Sequence, residues 1–149
     1  MTERVLVLSG PNLNLLGSRE PEVYGRTTLA EIVSGLERLG EELGVEVGHF
    51  QSNHEGALID RVHQASLDGV RGAIVNAGGF THTSVALRDA LVGTGLPFVE
   101  VHLSNLARRE SFRQVSLLAD VACGVVQGFG PAGYELALRG LVRAIRAEG

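Results

Sequence analysis

Hydrophobic and polar residues form two kinds of stretch that alternate along the chain. Short runs of valine, leucine and isoleucine predict buried strands, whereas longer stretches with apolar residues three and four apart predict amphipathic helices. The predicted strands are residues 4–9, 45–51, 73–75, 97–101 and 121–126. The predicted helices are residues 28–43, 56–67, 83–92 and 130–146.

This alternation predicts an α/β fold, a flavodoxin-like three-layer sandwich with a five-stranded parallel sheet and right-handed crossovers. It continues along the whole sequence, so we expect a single domain over residues 1–149. The second strand alternates less cleanly and is expected at a sheet edge. Ligands of such sheets bind beyond the carboxyl ends of the strands, so the segments after strands 1, 3 and 4 are expected to form one site.

Capping signals mark the start of two helices. Thr28 and Glu31 have the spacing of a capping box ahead of the first helix, and Gly44 is placed to end that helix. Ser52 and Glu55 have the same spacing and predict a second capping box ahead of the next helix.

Composition and charge argue against several classes of partner and of chemistry. The 149 residues carry a net charge of −4 and no long charge run, so a nucleic-acid partner is not expected. No apolar run is long enough to span a membrane, the N-terminus lacks a signal-peptide pattern, and Cys123 is the only cysteine, so we expect a cytoplasmic protein. All 13 basic residues are arginine, which excludes lysine imine chemistry and pyridoxal phosphate attachment. The histidines are scattered singly, so no metal site is expected.

An unusually long connection, residues 10–25, links the first strand to the first helix. Such links usually take about 2–6 residues, and longer ones are normally functional or disordered. This one contains Asn12, Arg19 and Tyr24, which is one of only two tyrosines. We expect these side chains at a site beyond the first strand, with an ordinary polar surface loop as the alternative.

The segment after the third strand combines Asn76, His82 and the paired glycines Gly78 and Gly79. Paired glycines let backbone N–H groups approach an anion, and the N-terminus of the following helix favours negative charge. The segment therefore predicts an anion-binding site, although the same glycines could merely turn the chain.

The segment after the fourth strand begins with Glu100 and His102, which share one face of an extended chain. A carboxylate beside an imidazole favours the imidazolium and orients the ring, as a general acid or base requires. A purely structural pair is the alternative. Arg108, Arg109 and Arg113 follow and supply positive charge for an anionic ligand, although some of them only coat the surface.

A glycine pattern at residues 128–133 matches that of a dinucleotide-binding turn. Its context does not fit, because Pro131 lacks an N–H and neither a strand nor an acidic ribose partner about 20 residues on follows. A tight turn before the last helix is the preferred interpretation.

The candidate side chains of the three segments after strands 1, 3 and 4 include a tyrosine, a histidine, asparagines and arginines. This set suits proton transfer at a carbon next to a carbonyl in a small anionic substrate.

Three segments together resemble type II 3-dehydroquinate dehydratase. They are residues 10–25, 76–89 and 100–105, which read GPNLNLLGSREPEVYG, NAGGFTHTSVALRD and EVHLSN. The resemblance covers essentially the whole chain. It implies dehydration of 3-dehydroquinate to 3-dehydroshikimate by anti elimination through an enolate, without a cofactor, in the shikimate pathway of aromatic amino acid biosynthesis or in quinate breakdown. It also implies a dodecamer made of four trimers.

The resemblance implies a role for each matched residue. Tyr24 would remove the C2 proton, and Arg19 and Arg109 would favour its phenolate. Asn12 would hold a water or the enolate oxygen, and His102, oriented by Glu100, would protonate the departing C1 hydroxyl. The implied substrate-binding residues are Asn76, His82, Asp89, Leu103, Ser104 and Arg113, of which Asp89 contacts the substrate or a neighbouring subunit's site. An ionised tyrosine at neutral pH requires its pKa to fall about three units below about 10, which two arginines can supply and one supplies only marginally.

Two other functions are compatible with such a fold. A receiver module needs an acidic pocket after its first strand and a late lysine, but the first strand here ends in Ser9-Gly10-Pro11 and the sequence contains no lysine. A non-catalytic protein that binds a quinate-like ligand has no need of a base and an acid, and the combination of Tyr24, Arg19 and His102 argues against it.

Overall fold

The computed structural model describes residues 2–147, with the backbone alone at Val23 and Tyr24. The strands are β1 Glu3–Ser9, β2 Val45–Gln51, β3 Gly72–Asn76, β4 Phe98–His102 and β5 Gly124–Gln127. The helices are α1 Pro21–Tyr24, α2 Leu29–Leu43, α3 Glu55–Leu67, α4 Val85–Thr94 and α5 Ala132–Ala147.

The five strands form one parallel sheet in the order β2-β1-β3-β4-β5. This order is the flavodoxin-like one, so the predicted fold class is confirmed. The predicted edge position of the second strand is confirmed as well, because β2 pairs only with β1 among the described strands. Because β1, β3 and β4 are parallel neighbours in the sheet, their carboxyl ends are adjacent.

A hydrophobic core covers each face of the sheet, because successive side chains of a strand point to opposite faces. Val5 and Val7 of β1 pack with residues of α2 and α5, whereas Leu6 and Leu8 pack with residues of α3 and α4. Both faces of β1 are thus buried, which explains why its sequence is a continuous apolar run rather than an alternating one.

One predicted cap is confirmed and the other is wrong. Thr28 and Glu31 form the capping box at the start of α2, and Gly44 ends that helix in the left-handed conformation. At α3, however, the N-cap is His54, with no side-chain cap. The carboxylate of Glu55 instead accepts a hydrogen bond from Ser84, so it ties the start of α3 to the start of α4.

The fifth strand is shorter than its apolar run. The run covers residues 121–126, but Ala119–Val121 is a 3-10 turn and Val121 and Ala122 pack into the core beside α3 and α4. Pairing with β4 begins at Gly124, opposite Val99. The first part of this run therefore packs into the core, and only the part from Gly124 pairs as a strand. Among residues 2–147, no helix combines the length and apolar character needed to cross a membrane.

Candidate active site

A cavity of about 180 Å³ lies at the carboxyl ends of β1, β3 and β4. Its lining comes from the three segments that the sequence singled out. The lining residues are Pro11, Asn12, Leu13, Leu16, Arg19, Asn76, Gly78, Gly79, His82, His102, Leu103, Ser104, Leu106, Arg109 and Arg113. The predicted convergence of these segments on one site is thus found in the structure.

Close packing of two main-chain segments fixes the near edge of the cavity. Gly10 follows β1, and a Cβ at this position would lie 2.3 Å from the carbonyl oxygen of Ala77. The Gly10 N–H donates to the carbonyl of Asn76 across 2.8 Å. Only glycine allows this approach, which holds the ends of β1 and β3 together.

Asn12 has the left-handed conformation, with φ of 69°. Asparagine adopts this conformation more readily than most residues, but in an ordered site it still needs support. The support comes from Asn53, whose Oδ1 accepts a hydrogen bond of 2.9 Å from the Asn12 N–H. Gln51 in turn donates to Gly10 and to Asn53. Asn12 is therefore fixed at the cavity by residues at and just after the end of β2.

Asn76 is buried, and both ends of its amide are engaged. Its Nδ2 donates to the hydroxyl of Tyr134 across 3.0 Å, and its Oδ1 accepts from the Gly78 N–H across 3.2 Å. Tyr134 is fully buried on α5, and burial raises the pKa of Tyr134 to about 12 despite its hydrogen bonds with Asn76 and Ser9. One hydrogen of the Asn76 amide remains for a ligand.

His82 is oriented by the main chain. Its Nδ1 lies 2.8 Å from the carbonyl oxygen of Val115. A carbonyl oxygen only accepts, so Nδ1 carries the hydrogen, and in the neutral ring Nε2 is left as an acceptor. His82 is thus suited to accept a hydrogen bond from a hydroxyl group of a ligand in the cavity.

Glu100 and His102 form a buried pair, with Glu100 1% exposed and His102 5% exposed. His102 Nε2 lies 2.5 Å from Glu100 Oε2, and Ser116 Oγ donates to Glu100 Oε1 across 2.8 Å. His102 lines the cavity, whereas Glu100 lies behind it. The carboxylate occupies one ring nitrogen, so Nδ1 is the nitrogen left to exchange a proton with a ligand.

Three arginines and no carboxylate occur among the described lining residues. Arg109 donates to Ser104 Oγ across 3.2 Å, so a predicted cation and a predicted substrate-binding residue are in direct contact. Glu110 lies between Arg109 and Arg113, at 3.5 and 3.1 Å. A backbone hydrogen bond, followed by the charge of Arg113, lowers the pKa of Glu110. Glu110 therefore offsets part of the charge of Arg109 and Arg113 from outside the cavity, while the lining itself is cationic and suits an anion.

Asp89 and Glu100 are the predicted site residues, among those whose side chains the structure describes, that do not line the cavity. Asp89 is exposed on α4 and is not among the lining residues. The side chain of Tyr24 lies outside the described residues, while its backbone closes α1. Of the arginines after β4, Arg108 is exposed and does not line the cavity.

The glycine pattern at residues 128–133 forms a turn before α5, as predicted. The N–H of Gly130 donates to the carbonyl of Leu103, and that of Gly128 to the carbonyl of His102. These N–H groups support the end of β4 and are therefore occupied, not available to a phosphate.

Several residues that support the site were not predicted from the sequence, among them Asn53, Tyr134 and Ser116. Tyr134 follows the glycine turn directly, and a polar aromatic residue on an otherwise apolar helix face is the signal that could have indicated a buried partner. Ser116 lies in an irregular segment and carries no comparable signal.

Both the sequence and the fold are similar to those of one known family. The family described as Dehydroquinase class II matches residues 3–142. The 3-dehydroquinate dehydratase of Bordetella avium is 61% identical over 143 residues, which are 96% of this chain and 99% of that protein. The 3-dehydroquinate dehydratase of Synechococcus sp. is 56% identical over 142 residues, which are 95% and 97% of the two chains. The crystal structure of the type II dehydroquinase from Butyrivibrio crossotus has a TM-score of 0.92 at 40% identity, covering 94% of this chain and 97% of that one. The chain therefore belongs to the class II dehydroquinase family.

Proposed function

We propose that the cavity dehydrates 3-dehydroquinate to 3-dehydroshikimate by anti elimination through an enolate, without a cofactor. Membership of the family identifies the protein as a hydro-lyase, a 3-dehydroquinate dehydratase. The observation that carries the mechanism is the buried Glu100–His102 pair at an arginine-lined cavity. It supplies a general acid beside a site for an anion.

His102 acts as the acid in this mechanism. The Glu100 carboxylate accepts from Nε2 across 2.5 Å and orients the ring, so Nδ1 is the nitrogen from which the reaction takes its proton. That proton goes to the C1 hydroxyl, which leaves as water. Transfer of a proton to the leaving group in the transition state typically contributes about 10²–10⁴-fold to the rate.

Tyr24 acts as the base that takes the C2 proton. The chain has two tyrosines, and Tyr134 is unsuited because it is fully buried, its pKa is raised to about 12, and its hydroxyl already serves Asn76. Arg19 and Arg109 line the cavity and supply the positive charge that an ionised phenol requires. Asn12, held by Asn53, stabilises the enolate oxygen directly or through a water.

The substrate is held by groups on the other two segments. Asn76 and the main chain at Leu103 and Ser104 bind the carboxylate and ring oxygens. His82 and Arg113 bind the ring hydroxyls, which fits the free acceptor on His82 Nε2. Asn76, Leu103 and Ser104 lie at or just after the ends of β3 and β4. His82 is held by the Val115 carbonyl and Arg113 by Glu110, so the substrate meets the acid and the base in a defined orientation.

The segment from Leu15 to Tyr24 closes over the bound substrate. It carries Arg19 at the cavity and Tyr24 in the short α1. Glu20 has φ of 41°, a conformation that a non-glycine residue adopts at some cost. We infer that the segment is mobile without ligand and becomes ordered when the ring is bound, which excludes water from the reaction.

We further propose one catalytic domain over residues 1–149, a cytoplasmic location, a role in the shikimate pathway, and a dodecamer built of trimers. The exposed face of α4 supports the assembly, since Val85 and Val92 are 57% and 54% exposed beside Asp89. Asp89 lies off its own cavity and is available to the site of a neighbouring subunit.

The direct test of this function is incubation of the purified protein with 3-dehydroquinate. The product contains a conjugated enone carboxylate, so ultraviolet absorbance should rise with enzyme concentration. Borohydride added with the substrate should leave the protein active, because no imine forms without lysine. An absence of enone would refute the function, and a protein that binds 3-dehydroquinate without forming enone would be a binding relative instead.

A further inference from the structure

We propose that Ser116 is a positioning residue of the reaction, which holds the Glu100 carboxylate in the orientation that aligns His102. This inference rests on the proposed function. Ser116 lies in the connection between β4 and β5 and does not line the cavity, so it acts through Glu100 and not on the substrate.

The direction of the Ser116 hydroxyl is fixed by its partners. Its Oγ accepts hydrogen bonds from the N–H groups of Leu118 at 3.0 Å and Ala119 at 3.1 Å. A hydroxyl has two acceptor lone pairs and one hydrogen. Because both lone pairs are occupied by main-chain donors, the hydrogen is left for Glu100 Oε1 at 2.8 Å. The hydroxyl is therefore a directed donor.

This donor completes the contacts of a buried carboxylate. Glu100 is 1% exposed, and its other oxygen serves His102. A buried carboxylate needs hydrogen bonds on its oxygens, and these bonds hold it in one rotamer. Without Ser116, Oε1 loses its donor, and the carboxylate turns away from the line to His102 Nε2. The acid then loses its alignment with the C1 hydroxyl.

The segment that carries Ser116 is anchored independently of its hydroxyl. The Leu117 N–H donates to the Thr81 carbonyl across 2.8 Å, and Arg88 donates to the Leu117 carbonyl across 2.9 Å. The Val115 carbonyl continues to hold His82. Loss of the hydroxyl alone should therefore leave substrate binding intact and affect only the proton transfer.

The test compares four variants. Ser116→Ala is expected to lower kcat about 10- to 100-fold, a loss no larger than the rate enhancement that a general acid typically contributes. KM should change less than about twofold. Ser116→Thr keeps the hydroxyl and should retain most of kcat. Ser116→Asp and Ser116→Asn have nearly equal size and both offer an oxygen to the two N–H groups, but only asparagine also offers a donor to Glu100. The aspartate variant should be the slower of the two, even if the alanine variant does not fold.

Thr94→Val is a matched control, because it removes a hydroxyl that bonds only to main-chain groups at the far end of α4. It should leave kcat unchanged. The decisive measurement is Ser116→Ala in a His102→Gln background. A residue that acts through His102 should cause no further loss there, because the aligned ring is already gone.

Three results would overturn the proposal. They are a wild-type kcat for Ser116→Ala, an equal loss of kcat in both backgrounds, or a rise in KM that accounts for the lost activity. A wild-type protein without dehydratase activity would refute the proposed function instead. A crystal structure of Ser116→Ala still tests the inference in that case, because the Glu100 carboxylate should have rotated away from His102 Nε2.

Discussion

The side-chain amide of Asn76 donates a 3.0 Å hydrogen bond to the hydroxyl of Tyr134, which is fully buried on α5. The two residues lie 58 positions apart in the sequence. This bond joins the last helix to the end of β3 and leaves one amide hydrogen of Asn76 for the substrate. The packing of α5 thus contributes directly to the geometry of the cavity.

We expect Tyr134→Phe to weaken both substrate binding and folding. The variant keeps the ring but leaves a buried amide without an acceptor, which typically costs about 1–3 kcal/mol. The free energy of unfolding in urea should fall by this amount, and KM should rise while kcat changes less. Thr94→Val serves as the control for loss of a hydroxyl away from the site. A Tyr134→Phe variant with wild-type KM would show that Asn76 does not need this partner.

The same tyrosine predicts a loss of stability at alkaline pH. Burial raises the pKa of Tyr134 to about 12 in the folded protein, above the value of about 10 in the unfolded chain. The folded state therefore holds the proton more tightly, and stability that is present below pH 10 is lost as the pH rises towards 12. By pH 11 about 1 kcal/mol should be lost. Unfolding in urea at pH 9 and pH 11 should show this loss in the wild type but not in Tyr134→Phe.

The sequence predicted the location of the site better than its supporting contacts. Parallel strands place their carboxyl ends together, so Asn12, Asn76 and His102 could be grouped from the strand pattern alone. Tyr134 and Ser116 act through contacts between segments that are distant in the sequence, and the spacing of neighbouring residues does not indicate such contacts. The second capping box failed for a related reason, because Glu55 bonds to Ser84 rather than to its own helix start.

Gly10→Ala should damage both the fold and the site. The added Cβ would lie 2.3 Å from the Ala77 carbonyl oxygen, so the ends of β1 and β3 would have to separate. Overpacking of this kind typically costs about 1–3 kcal/mol. Thermal unfolding and turnover should both report the change. Gly56→Ala is the control, since a Cβ there meets nothing within 4 Å, and it should be neutral or stabilising. Equal stability of the two variants would contradict the close approach.

Arg19→Ala should move the lower limb of the pH–rate profile to higher pH. Removal of a positive charge from the cavity makes ionisation of the catalytic phenol less favourable, by about 1 pH unit for a nearby charge. Arg26→Ala is a matched control, because Arg26 is exposed between α1 and α2 and does not line the cavity. An unchanged profile for Arg19→Ala, with the rate simply reduced, would assign Arg19 to binding alone.

Hydrogen exchange at C2 tests the division of roles between Tyr24 and His102 most directly. In D₂O, a His102→Gln variant should still form the enolate and return deuterium to C2 of recovered 3-dehydroquinate, while dehydration slows about 10²–10⁴-fold. A Tyr24→Phe variant should neither exchange the C2 hydrogen above the rate without enzyme nor release water, with its fold intact by circular dichroism. Enzyme-dependent exchange by Tyr24→Phe, or its substantial dehydration activity, would contradict the assignment of the base.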